Sequence, residues 1–522
     1  MDFATIIRKS GQYYRENTAV LFEGRTLTYG GLLERASRLA NALASFGLAP
    51  GDRVAVLADN RFETVEISVA CALGNTPVAT LYTYYSNDTN LFLLEHIDAR
   101  ALIVDEALYP ALAGILPKLR NLTAVVVLGD GPPPAGAHGY DELLARSPAE
   151  VPQVPVSGDD VHIIRFSSGT TGRPKGIYHS VDRWLAYSSE WRWMTPRLTE
   201  RDTYVVAVSL AHLGVAYLWG MLAVGARIIP MRRFDAAEFG DLVETHRATY
   251  TAMVPTMIQK VLDTPEAARR DYSTLRCLTY AGSPIAEKTL RRAIDLFGPC
   301  LHQMYAQSEV APVTMLLPHE HRLDGGERNQ RHLRSVGRPS AHVKLTVVDD
   351  EGRPVPQGEI GEIAAWSPGR MSGVWGDPTA TAARLLPDGS VLTRDMGYVD
   401  EDGYVFLKDR KDDMIISGGY NIWPVELEAV LLSHPGVRAA CVIGVPHDVW
   451  GETPKAVVVR ASGAEVTEED LIALTGDRLG RVKRVTSVDF VDTLPVSGAG
   501  KILRSEIRGP FWAGRDSLVG GV

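Results

Sequence analysis

Val161-His162-Ile163-Ile164-Arg165-Phe166, followed at once by Ser167-Ser168-Gly169-Thr170-Thr171-Gly172-Arg173-Pro174-Lys175-Gly176, is the stretch on which the reading of this chain turns. The first six residues read as a strand. The ten after them have the composition of an anion cradle. Glycines let backbone N–H groups approach oxygens closely, hydroxyls donate further hydrogen bonds, and Lys175 supplies a positive point charge. The stretch is not a Walker A loop, because the Gly-Lys-Ser/Thr ending is absent. An ordinary flexible turn is the competing reading of any Gly/Ser/Thr-rich run, so the surrounding chain has to decide.

Upstream, helical patterns alternate with short apolar runs: 32–46, then 53–58, then 62–73, with further strand-like runs at 101–104 and 124–128. This rhythm predicts βα units and a largely parallel sheet. The segment 129–139, with Pro132, Pro133 and Pro134, reads as a loop. The rhythm resumes at 203–230 and 249–290, which puts the cradle inside a large α/β domain. After about Pro339 the pattern changes to strand-like pieces at 343–348, 359–366, 390–393 and 404–408, separated by Asp-Gly or Glu-Gly turns. A charged stretch then leads to a strand-like 414–416, to Gly418 and Gly419, and to a helix beginning near Pro424. The expected organisation is a large N-terminal domain over 1–408 and a small α+β domain over 414–522, with the charged stretch 409–413 between them.

A chain of 522 residues is too long for one hydrophobic core, so several units are expected. A formal charge of -9 argues against a protein that grips nucleic acid through an overall positive field. Cys71, Cys277, Cys300 and Cys441 are far apart and show no CxxC spacing, which fits a reduced compartment. The N-terminus lacks the apolar run of a signal peptide, and no stretch approaches the ~20 apolar residues of a membrane span. A cytoplasmic protein without a transmembrane segment is therefore expected. The histidines, including His319 and His321, lack metal-ligand spacing with cysteines or carboxylates, and no zinc is expected.

Five further motifs follow the cradle. They are Ala281-Gly282-Ser283-Pro284 after the strand-like 275–280, Tyr305-Ala306-Gln307-Ser308-Glu309, and Leu392-Thr393-Arg394-Asp395-Met396-Gly397. Then come Asp409-Arg410-Lys411-Asp412-Asp413-Met414-Ile415-Ile416-Ser417-Gly418-Gly419-Tyr420-Asn421-Ile422 and Pro495-Val496-Ser497-Gly498-Ala499-Gly500-Lys501-Ile502. Singly, each has a plain reading: a β-turn, a helix start with Ser308 as N-cap, a solvated charge run, a surface lysine. In this order, over essentially the whole chain, they resemble the AMP-forming acyl-CoA synthetases and related adenylating enzymes.

The resemblance implies an α/β fold in which a large N-terminal domain, made of two α/β subdomains and a β-barrel, carries a small mobile C-terminal α+β domain. It implies that Ser167, Ser168, Gly169, Thr170, Thr171, Gly172 and Lys175 hold the phosphates of ATP, and that Gly282, Ser283 and Pro284 form the adenine turn. Tyr305 would lie against adenine beside Ala306, Ser308 would bind the α-phosphate, and Glu309 with Thr170 would hold Mg²⁺. These choices suit a base, an anion and a hard cation. Asp395 would accept both ribose hydroxyls, as an ionised carboxylate can, and Arg410 would contact the ribose. Asp412 would be the hinge. Lys501 would be the catalytic lysine of the adenylation step, an ammonium that relieves repulsion between an anionic nucleophile and an anionic phosphate. His212, in Ser209-Leu210-Ala211-His212-Leu213-Gly214, would edge the acyl pocket, although a hydrogen-bonded core histidine is the competing reading. Gly418 and Gly419 would border the pantetheine channel, and Trp450 would pack on the nucleotide of CoA or sit in a surface core patch. Two positions depart from the family pattern: Arg394 and Ala306 each stand where the family has glycine.

The expected activity is an ATP-dependent ligase that adenylates a small-molecule carboxylate, with fatty and aryl acids both open, releasing pyrophosphate, and transfers the acyl group to CoA. Two alternatives stay open. One keeps adenylation but changes the acceptor, to a carrier-protein thiol, an amine, or nitrite and an aryl amine in a diazotisation. The other is a non-catalytic nucleotide-binding homologue, against which the retention of Lys175, Glu309, Asp395, Arg410 and Lys501 speaks.

Overall fold

In the computed structural model, which describes residues 2–83, 85–167, 174–324, 326–411, 413–417, 420–496 and 502–513, the strands Val54–Leu57, Thr203–Val206, Tyr250–Met253, Cys277–Tyr280 and Leu301–Tyr305 are buried at every position. Strands of this kind need cover on both faces, which parallel sheets obtain from crossover helices. The chain divides into two units, Met1–Leu345 with Ala365–Val391, and Thr346–Ala364 with Leu392–Val522.

The first unit holds two sheets. One runs in the order Gly373–Val374, Lys175–Ser180, Val161–Ser167, Val78–Thr80, Val54–Leu57, Ala101–Asp105, Ala124–Leu128, His138–Gly139. The other runs Arg338–Pro339, Thr314–Leu316, Leu301–Tyr305, Cys277–Tyr280, Tyr250–Met253, Thr203–Val206, Arg227–Pro230, Thr18–Phe22, Arg25–Thr28. Alternation of side chains along a strand sorts the residues into layers. Val54, Val56 and Ile163 of the first sheet share one core with Tyr204 and Val206 of the second. Their neighbours Ala55, Leu57 and Ile164 face a separate outer core, and Val205 faces another.

Local chemistry sets the helix ends. Helix Tyr29–Ser45 starts where the Thr28 side chain accepts from the Gly31 N–H, and helix Phe62–Gly74 stops at Asn75, which adopts a left-handed conformation. The first two strands, Thr18–Phe22 and Arg25–Thr28, join the second sheet rather than the first, with Val20 paired to Ile228. Buried Tyr29 secures that crossing through its hydroxyl, which donates to the Ala226 carbonyl at 2.6 Å. All four cysteines are buried and free. Burial pushes the Cys277 thiol up to about 11, which leaves it inert at neutral pH.

The second unit carries the β-rich part expected as a barrel, a four-stranded sheet in the order Lys344–Val348, Gly361–Trp366, Val391–Val399, Val405–Arg410. It continues into a five-stranded sheet built on Ile415–Ser417, Tyr420–Ile422, Val437–His447, Gly451–Arg460 and Ser487–Phe490. Helix Pro424–Leu432 opens with proline in its first turn, where the missing N–H costs nothing. Among the described residues, no helix is long and apolar enough to cross a membrane.

Candidate active site

Strands Thr203–Val206, Tyr250–Met253, Cys277–Tyr280 and Leu301–Tyr305 pair in parallel, so the segments leaving their carboxyl ends emerge along one edge. Ligands of open α/β sheets bind outside that edge. The turn 281–284 leaves the third of these strands and the segment 305–309 leaves the fourth. Gly282 has φ +90°, a conformation glycine adopts without steric cost. Ser283 is half-buried and Pro284 exposed. Tyr305 is buried at the strand end, and Ala306 packs against the central core.

The turn at Ser308 is braced from several directions. The Gln307 N–H donates to the Val310 carbonyl at 2.9 Å, the Val313 N–H to the Tyr305 carbonyl at 3.0 Å, and the Met371 N–H to the Glu309 carbonyl at 2.7 Å. Arg165 Nη2 donates to the Ser308 carbonyl at 3.0 Å. With its carbonyls engaged in this way, the turn has few alternatives to its present path. The Glu309 carboxylate stands 3.3 Å from Arg384 Nη2, so a mostly buried anion is held where positive charge stabilises it.

Ser167 and Lys175 face each other in the antiparallel pairing of Val161–Ser167 with Lys175–Ser180. They bring the two ends of the cradle together, and Arg165, one strand position pair earlier, ties that strand to Ser308. Ser168, Gly169, Thr170, Thr171 and Gly172 lie outside the described residues. Gly176 is closely packed: a Cβ there would stand 3.1 Å from Trp375 Cβ and 3.2 Å from Ile164 Cγ2, so those side chains would have to shift by a few tenths of an ångström.

His212 lies half-buried on the segment that follows strand Thr203–Val206, just before a short 3₁₀ turn, Leu213–Ala216. The segment is folded on itself, the His212 and Gly214 N–H groups both donating to the Ser209 carbonyl at 3.0 and 2.9 Å. A residue from the loop after strand Val54–Leu57 of the other sheet holds it. Asn60 Nδ2 donates to the Val208 carbonyl at 2.9 Å, and its Oδ1 accepts from the Leu210 N–H at 2.7 Å.

In the second unit, Asp395 and Arg410 are cross-strand partners, and Arg410 Nε lies 2.9 Å from the buried Asp395 carboxylate. Arg394 has φ +63°, which explains why this position suits glycine and what the arginine costs. Its N–H donates to Glu362 at 2.9 Å. Trp450 is 48% exposed and stacks on His447, centroids 4.5 Å apart and planes 11° from parallel. Asp412, Gly418, Gly419 and Lys501 lie outside the described residues.

Sequence reasoning passed over Arg165, Arg384 and Asn60. Arg165 carried a signal, a charge inside an apolar strand. Arg384 and Asn60 carried none, because each matters through a partner 75 or about 150 positions away.

A family model described as AMP-binding enzyme matches residues 7–375, and one described as AMP-binding enzyme C-terminal domain matches 426–501. The medium/long-chain-fatty-acid–CoA ligase FadD8 of Mycobacterium tuberculosis is 34% identical, over 97% of this chain and 89% of its own. The fatty acid–[acyl-carrier-protein] ligase ScoC of Streptomyces coeruleorubidus is likewise 34% identical, over 96% of this chain and 95% of its own. Among solved structures, the amide bond synthetase McbA from Marinactinospora thermotolerans superposes with a TM-score of 0.86 at 30% identity, covering 98% of this chain and 99% of that one. Matched by both models and aligned with such relatives along almost its whole length, the chain belongs to the AMP-binding enzyme family and is an adenylate-forming enzyme of the acyl-CoA ligase superfamily.

Proposed function

We propose that the chain activates a carboxylic acid with ATP, releasing pyrophosphate, and then passes the acyl group from the adenylate to the thiol of CoA. The observation that carries the first step is the braced Ser308–Glu309 turn, standing beside the Gly282 turn at a sheet's carboxyl edge and bonded to the cradle strand through Arg165. In this reading Ser167, Lys175 and the intervening cradle hold the phosphates, Tyr305 and the 282–284 turn hold adenine, and Asp395 with Arg410 holds the ribose. Lys501 offsets the negative charge that gathers as carboxylate and α-phosphate approach.

The donor set suits Mg²⁺: Glu309 offers one hard carboxylate oxygen, the number this ion takes when phosphates supply further ligands. Bound there with Thr170, the ion would neutralise phosphate charge. Arg384 already neutralises Glu309 and would have to yield or share it.

The hinge is proposed at Asp412, and its neighbours support it. Lys411 pairs with Glu362 at 3.1 Å and Asp350 at 2.7 Å, both in the part of the chain before the hinge. Asp413 pairs with Arg504 at 3.0 Å, after it. A hinge is a few loop positions that absorb a change in backbone angles, and here the residues on either side are tied to different stretches of chain within the second unit. We take 1–408 and 414–522 as the bodies it joins.

For the second step, exposed Trp450 offers a flat ring for the CoA nucleotide, and Gly418 and Gly419 a backbone close enough to pass pantetheine. CoA is preferred because the aligned relatives include a CoA ligase, although ScoC and McbA show that related chains serve other acceptors. The protein is taken to work in the cytoplasm, in keeping with four free cysteines. Two assays test this function. Carboxylate-dependent exchange of labelled pyrophosphate into ATP tests adenylation, and its absence across a broad panel of acids would favour a non-catalytic homologue. Offering a preformed adenylate to CoA, a carrier protein and amines in parallel tests the acceptor, and consumption by anything other than CoA would overturn that part.

A further inference from the structure

Arg165 is the one charged residue in the strand Val161–Ser167, and it is 3% exposed. A guanidinium taken out of water is costly unless a carboxylate or a full set of acceptors compensates it. Among the described residues no carboxylate lies within ion-pairing distance of Arg165. What surrounds it softens the charge without cancelling it. Nη2 donates to the Ser308 carbonyl at 3.0 Å. The guanidinium stands 4.8 Å from the Trp184 ring centre and 5.3 Å from that of Tyr187, two rings stacked on each other at 4.3 Å. Nε is buried and without a partner.

The neighbourhood deepens the imbalance. Among the described residues Arg183 bonds the Pro368 carbonyl, at 3.4 Å, and Arg370 the Ser367 carbonyl, at 3.1 Å, above the face of Trp366. Burial, helped by repulsion from Arg183 and opposed by Asp388, brings Arg370 down to about 10. Burial, then Arg165, Arg183 and His162, hold His179 neutral, and neither of its ring nitrogens has a partner. The positive charge of Arg165 thus lies against the Ser308 turn, whose own anion, Glu309, is already paired with Arg384.

We propose that Arg165 is a positioning residue for a polyphosphate: it fixes the Ser308 turn to the cradle strand, and its uncancelled charge favours an anion arriving at that turn. The inference rests on the adenylation reading only for naming ATP as that anion. It predicts a loss confined to phosphates, which a merely structural tie would not produce.

The test is equilibrium binding by calorimetry of ATP, pyrophosphate and adenosine to the full chain, without any acid, for wild type, Arg165→Met and Arg165→Lys. Arg165→Met should weaken ATP and pyrophosphate roughly tenfold, about 1.4 kcal/mol, and leave adenosine within about twofold. Arg165→Lys, which keeps the charge and loses the fork, should retain most of the preference for ATP over adenosine. Equal loss of adenosine and ATP, or no loss of either, overturns the proposal. If circular dichroism shows Arg165→Met unfolded, Arg165→Lys decides: a retained preference supports the proposal and a lost one overturns it. Because no turnover is needed, a wild type that binds ATP but exchanges no pyrophosphate would sink the ligase reading alone. A methionine variant that binds ATP normally while wild type exchanges pyrophosphate would sink this proposal alone.

Discussion

Replacing Asn60 with leucine removes a two-sided amide clamp while keeping the branched outline of the side chain. Asn60 is buried, and its two hydrogen bonds, 2.9 and 2.7 Å, are made to backbone groups of Val208 and Leu210 in the segment that leads to His212. Each bond contributes about 1 kcal/mol net, and each backbone group left unmet costs about 1–3 kcal/mol. Relaxation is limited, since the adjoining cavity lined by Asn60, Thr64, Ser68, Thr80, Leu210 and Ala211 measures only about 20 Å³, room for one water. If that water rescues one group, the expected loss is about 2 kcal/mol. At about 2–4 °C per kcal/mol for a domain of 150–250 residues, melting should fall by several degrees. The functional consequence follows from where the clamp acts. The segment leads to His212, which we propose edges the acyl pocket, so with it loosened KM for the acid should rise about tenfold, inside the ~10²-fold that a misplaced positioning group can cost, while KM for ATP stays near wild type. Pyrophosphate exchange, with acid and ATP varied separately, gives both values, and thermal unfolding gives the first. A leucine variant with unchanged melting and unchanged KM for the acid would refute the reasoning, for the clamp would then hold nothing that matters.

Lys501→Ala should slow adenylate formation by roughly 10²-fold or more, yet leave thioester formation from supplied adenylate largely intact; equal loss of both half-reactions in a folded variant would remove the assigned role. Arg394→Gly relieves a left-handed residue that costs about 1–2 kcal/mol, against about 0.5–1 kcal/mol for glycine's freedom when unfolded, so melting should hold or rise slightly. Arg394→Val should lower it, and a valine variant as stable as wild type would contradict the strain. Glu426 bonds Lys408 at 3.1 Å and Lys483 at 2.8 Å; burial pushes its carboxyl up, but the two lysines outweigh burial and hold it below its ordinary 4.5. A depressed carboxylate stabilises above its unfolded value and loses that contribution as pH falls through the folded one. Glu426→Gln should therefore cost about 1 kcal/mol at pH 7, kept small by solvent screening, and the gap from wild type should narrow as pH falls below 4.5 and through the lowered folded value; a gap that persists once the carboxyl is protonated would disprove the linkage.

Much of the architecture was legible because it is written locally. The strand read at 161–166 is Val161–Ser167, the helical pattern at 62–73 is Phe62–Gly74, and the helix expected near Pro424 is Pro424–Leu432. Periodicity, caps and proline position act within a few residues, so a single sequence contains them. The motif residues that the structure describes are likewise contiguous: Gly282 to Pro284 form one turn and Tyr305 to Glu309 one segment. Their order along the chain was enough to point to adenylation.

Tertiary structure alone decided which distant segments meet. It assigned Thr18–Phe22 and Arg25–Thr28 to the sheet that also holds Arg227–Pro230, although the next strands in sequence, from Val54–Leu57 to Lys175–Ser180, build the other sheet. It paired Arg165 with a carbonyl 143 positions away, Asn60 with one 148 away, and Glu309 with Arg384 across 75. A side chain's partners depend on where chain closure brings other segments, and closure is set by the burial of whole elements rather than by the residue's own neighbours. The cradle is thus read from its own letters, while the hydrogen bond that ties its strand to the Ser308 turn joins residues 143 positions apart.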